Sequence, residues 1–134
     1  MAERVFTVEE ANALLEAVRP LAERMVAHRR ALARAMERQE RIEGSVRGNG
    51  GGISPEEPAA AAAAVSEEAD AVARCLDQIH RLGVVVKDLD TGLVDFPAMR
   101  GDEEIFLCWQ VGEDEIRYWH GREEGFAGRK ELPL

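Results

Sequence analysis

Six side chains in the C-terminal half carry nitrogen or oxygen donors of the kind that hold divalent ions: His80, Asp88, Asp90, Asp95, Glu113 and His120. Two imidazoles with one or two carboxylates suit Zn²⁺, Mn²⁺ or Fe²⁺. These residues have no tight ligand spacing. They form a centre, with His80, Asp88, Asp95, Glu113 and His120 as its ligands, only if a helix end, a hairpin and a last strand meet at one edge of a sheet. Each also has an ordinary explanation: His80 suits the negative end of a helix, Asp90 stabilises its own turn, and Lys87 opposite Asp95 makes a cross-strand ion pair. A second set, Lys87, Arg100 and Arg129 beside Trp109, would take a small anionic ligand.

Other chemistries are disfavoured. Asp88-x-Asp90-x-Gly92 is not a calcium loop, because the glycine comes one residue early and Met99 stands where a bidentate glutamate is needed. The serines at 45, 54 and 66 lie outside any Gly-x-Ser-x-Gly, and the glycine run at 48–52 lacks the Lys-Ser/Thr ending of a phosphate loop.

The elements that must position these residues are legible in the spacing. Thr7 and Glu10 form a capping-box pattern that starts a helix over 7–43. Leu14, Val18, Leu21, Met25, His28, Leu32, Ala35, Gln39 and Ile42 recur at steps of four and three, the seam of a packed helix. Pro20 predicts a kink or a break near 16–20, and Gly44 a stop. His28 and Gln39 in the seam call for interhelical partners that set register. Five glycines make 44–54 a flexible loop, after which Ser54-Pro55-Glu56-Glu57 opens a second helix over 55–82. Its seam is Val65, Ala69, Val72, Leu76 and Ile79, and Gly83 caps it. The alanines at 59–64 serve helix propensity and close approach. The two long helices are expected to lie antiparallel.

From Gly83 the period changes to two, and turns at 90–92, 100–102 and 112–114 predict a four-stranded antiparallel β-meander over 84–120, with a tail at 121–134. A turn at Glu113-Asp114 sets Val111 against Ile116, Trp109 against Tyr118, Leu107 against His120 and Cys108 against Trp119. Both faces of the sheet are then apolar, so the tail or another subunit must cover one of them. The fold class is α+β, in a single domain.

The chain has 134 residues, enough for a real core, with 46% hydrophobic content and a net charge of −9. That charge repels nucleic acid and anionic membranes on average. Eight arginines against four glutamates make 19–47 locally basic, which suits contact with an acidic surface of another copy. Cys75 and Cys108 lie in apolar segments with no framework pattern, and the acidic N-terminus is no signal peptide; both point to the cytoplasm.

The opening Phe6–Leu15, the block Gly83–Ala98, and Leu107–Ile116 with Tyr118-Trp119-His120 and Gly125–Arg129 resemble the uncharacterised bacterial domain-of-unknown-function family 2203. The likeness spans nearly the whole chain and is most specific in the strand blocks. It implies a small intracellular bacterial protein and places any function in Lys87–Pro97, Leu107–Glu115 and His120. With no catalytic signature, the expectation is a non-enzymatic self-associating module, most simply a dimer, with a metal-binding protein or metal-dependent enzyme as the alternative.

Overall fold

The computed structural model describes residues 4–49 and 54–134, the side chains of 46–49 excepted. Two helices precede a five-stranded antiparallel sheet: α1 (Val8–Asn49), α2 (Glu56–Arg81), β1 (Val85–Asp88), β2 (Leu93–Arg100), β3 (Glu103–Trp109), β4 (Tyr118–Gly121) and β5 (Lys130–Glu131), the strands lying in sequence order. Neither helix is long and apolar enough to cross a membrane.

The capping box forms as expected: the Thr7 N–H donates to Glu10 Oε1 at 2.8 Å and the Glu10 N–H to Thr7 Oγ1 at 3.1 Å. The backbone hydrogen bond from Thr7, the largest cause, helps hold the Glu10 carboxyl below its ordinary pKa. Of the kink or break expected near 16–20, the break does not occur, since α1 runs through Pro20. Proline removes one helical donor, and the flanking Val18, Leu21 and Ala22, all buried in the core, hold the helix on both sides of it. The stop expected at Gly44 is also overrun, to Asn49; of the predicted loop, 50–53 lies outside the described residues. α2 opens one residue late on Pro55 with no side-chain cap, and Ser54 contributes only its carbonyl, accepting the Glu57 N–H at 3.2 Å. At the other end Gly83, at φ +89°, donates to the His80 carbonyl as the expected cap.

The helices pack side by side, with His28 Nδ1 2.8 Å from Glu68 Oε2, the interhelical partner its seam position calls for. Of the expected stripe on α2, Val72 and Ile79 are buried and Val65 and Leu76 half-buried, while Ala69 is exposed; Ala61, Ala71 and Cys75 are buried as well. Of the alanine run only Ala61 is fully buried; most of the rest is exposed and serves propensity. Phe6, Leu15, Val18, Met25, Val72 and Ile79 form one core with Val94, Phe96, Ile105, Leu107, Trp109 and Trp119 from the helix-facing side of the sheet.

The sheet departs from expectation in two ways. The tail adds a fifth strand, Tyr118 pairing with Glu131 and Trp119 with Lys130, continued by the Leu132 N–H on the Arg117 carbonyl at 2.8 Å. The β3–β4 register is also shifted by one: Cys108 faces Tyr118, Leu107 faces Trp119 and Phe106 faces His120. A wider loop causes the shift. Its closure is the Glu113 N–H on the Gln110 carbonyl, and the Ile116 N–H bonds Asn12 Oδ1 on α1 at 2.9 Å instead of facing Val111. A one-residue slip exchanges faces. Trp119 therefore joins the core where Tyr118 was expected, and His120 turns to the same side as Cys108.

Candidate functional site

On the sheet face away from the helices, three adjacent strands each contribute one donor: Asp95 on β2, Cys108 on β3 and His120 on β4. Asp95 and Cys108 are direct cross-strand partners, and His120 follows Tyr118, the partner of Cys108, by two positions. One ligand atom from each lies within 4.8 Å of the other two. Their exposures are 1%, 0% and 4%. Beside them on this outer face lie the Phe106 ring, 5.5 Å from that of His120, and Arg129, from the tail that follows Gly121 and forms a 3-10 turn at Phe126–Gly128.

The hydrogen bonds define the proton inventory. His120 Nδ1 lies 2.8 Å from the Gly121 carbonyl, which only accepts, so Nδ1 carries a proton. His120 Nε2 lies 2.9 Å from Asp95 Oδ1, and one proton must occupy that contact, whether on the imidazole or the carboxyl. Burial, the largest influence, pushes the Asp95 carboxyl above its ordinary pKa, with the His120 hydrogen bond and the Lys87 charge opposing. Asp95 Oδ2 is buried with no partner. The Cys108 thiol is pushed up to about 11, first by burial and then by the neighbouring Asp95. It is a protonated thiol at neutral pH.

Arg129 closes the site. Its guanidinium holds Glu113 at 2.8 and 3.3 Å, stacks 3.8 Å over the Tyr118 ring and 4.2 Å over Phe126, and places Nη1 4.0 Å from Cys108 Sγ. It is the nearest cation available to a thiolate there. In the same tail Lys130 meets Glu124 at 2.6 Å, and Glu124 accepts the Gly121 N–H at 2.9 Å.

Of the five ligands expected from sequence, the structure brings together Asp95 and His120. His80 is exposed at the end of α2, in a shallow depression with Leu76, Asp77, Val85 and Val86 beside the β1 edge. Asp88 is exposed and accepts the Asp90 N–H at 2.7 Å, closing its turn; Asp90 meets Arg29 at 3.4 Å. Glu113 borders the centre but is taken by Arg129 and by the Gln110 N–H. The expected Lys87–Asp95 pair is displaced by a bulge: Val85 faces Asp95, and Lys87 lies 5.8 Å from the Phe106 ring centroid. The expected anion-binding set is not assembled either. Trp109 is fully buried on the helix side, donating to the Glu113 carbonyl at 2.9 Å, and Arg100 stacks 5.0 Å over Trp119. Cys108, which the sequence shows only as a cysteine within an apolar segment, is the donor absent from the expected set. Its signal was its two-residue alternation with Phe106, on the strand between Asp95 and His120, and the expected register hid it.

The chain matches the family model described as an uncharacterized conserved protein, DUF2203, over residues 4–132, and it belongs to that family. No curated protein and no solved structure matches it.

Proposed function

We propose that this member of the DUF2203 family binds a single divalent metal ion through Asp95, Cys108 and His120. The observation that carries the reading is the clustering of one oxygen, one sulfur and one nitrogen donor within 4.8 Å, beside a buried carboxylate oxygen that nothing else satisfies. An orphaned buried acceptor is costly, and a cation held between these atoms removes the cost. The ion would take the place of the proton between Asp95 and His120 and of the thiol proton, with the Gly121 carbonyl fixing the ring through Nδ1. A thiolate in the set moves the preference toward Zn²⁺, then Fe²⁺, and away from Mn²⁺. Three protein ligands would leave a fourth position, with the Arg129 guanidinium 4.0 Å from Cys108 Sγ beside the site. This arrangement favours a metal-binding role over open-site hydrolysis.

Cobalt-substituted protein purified without a histidine tag tests the reading. One equivalent of Co²⁺ with a thiolate charge-transfer band is expected; Cys108→Ser should lose the band and Asp95→Asn most of the affinity. Absence of the band, or binding unchanged in both variants, refutes it.

A further inference from the structure

The core cluster uses α1 only as far as Met25 and α2 only from Val72. Over the remaining 26–45 and 56–71 the buried hydrophobic residues are Val26 and Ala71, next to the core, and farther out Ala35 and Ala61. These distal halves form a two-helix arm, and each helix of a lone pair buries a single stripe. Met36 is left 48% exposed.

The arm is electrically two-sided. Five arginines stand against three glutamates in 27–45, while 56–70 holds five carboxylates and no lysine or arginine. Arg30, Arg34, Arg38 and Arg41 share one exposed side of α1, and Glu67 and Asp70, with Ala60 and Ala63 at helical spacing before them, share one exposed side of α2. None of these six charged side chains makes an ion pair with another described residue; His28–Glu68 and Arg29–Asp90 are ion pairs that involve the arm.

We propose that the arm docks on the arm of a second copy of this chain, the basic side of each α1 against the acidic, alanine-smoothed side of the other α2. A twofold arrangement satisfies both charge stripes at once, because each copy offers both halves of the complement. Charge decides the occupant: an acidic partner would satisfy the α1 stripe alone, and nucleic acid would be repelled by the α2 stripe. About 28 Å of α1 by two helix diameters of roughly 10 Å gives a footprint of roughly 550 Å² on each copy. That lies at the low end of specific interfaces, so association in the micromolar range is expected.

Sedimentation equilibrium of the full chain from about 5 to 500 μM in low salt tests this, with chelator present so that metal plays no part. A dimer that weakens at least tenfold between about 50 and 500 mM salt is expected. Arg34→Glu with Arg38→Glu should give a folded monomer, as should Glu67→Arg with Asp70→Arg, and an equimolar mixture of the two variants should restore the dimer. A wild-type monomer throughout the range, a dimer indifferent to both double variants, or a monomer that binds duplex DNA through the arginines overturns the proposal.

Discussion

Replacing Asp95 by Asn separates two descriptions of the buried Asp95–His120 contact. Nδ1 is committed to the Gly121 carbonyl, so Nε2 of a neutral ring presents a lone pair to Oδ1 at 2.9 Å. Burial raises the pKa of the Asp95 carboxyl; if the proton of the contact sits there, the carboxyl donates to that lone pair. An asparagine amide donates from the same place, and its carbonyl takes the position of the unpartnered Oδ2. The one new defect is a second amide hydrogen without an acceptor, so the loss should stay within about 1 kcal/mol in metal-free protein. Asp95→Ala removes the donor and opens a hole beside a buried imidazole, which should cost about 2–4 kcal/mol. Urea unfolding at pH 7 with chelator, read by tryptophan fluorescence, measures both. If Asn costs as much as Ala, the contact is an imidazolium–carboxylate pair whose charge the amide cannot replace, and the neutral description is refuted.

Two more expectations concern stability. The Cys108 thiol is raised from about 9 to about 11, so the folded state binds its proton more tightly than the unfolded one. The resulting stability, about 3 kcal/mol, is fully present below pH 9 and lost as pH rises through 11. Wild type should therefore lose that much relative to Cys108→Ala between pH 8 and 11.5 in denaturant titrations; parallel curves would count against it. Gly92 and Gly101 have similar positive φ, +70° and +61°. A Cβ on Gly92 would come within 2.4 Å of Val111 Cγ2 and 3.0 Å of Val26 Cγ2, while one on Gly101 meets nothing. Gly101→Ala should cost about 1 kcal/mol and Gly92→Ala about 2–4 kcal/mol by the same urea assay, the difference being overpacking rather than backbone strain.

The local elements were written in the sequence because their causes are local. The capping box, the four-three seam through Val18, Met25 and Ala35, the Gly83 cap and the turns at Gly92, Gly101 and Gly112 each depend on residues a few positions apart. The family was legible too, from its strand blocks. The helix limits were not, because the local penalties of Pro20, about 3 kcal/mol, and Gly44, about 1 kcal/mol, are outweighed by cooperative helix formation and core packing. The site was half legible. Asp95 and His120 stood out by residue type, but which side of the sheet they shared depended on the turn between β3 and β4. Tertiary contact set that turn, through the Ile116 backbone held by Asn12 more than a hundred residues away. That single-residue register placed Cys108 between Asp95 and His120, and all three are buried. Local chemistry determined the helices and the first four strands; only the packed chain added the fifth, whose two residues carry little signal of their own, and decided which faces they present.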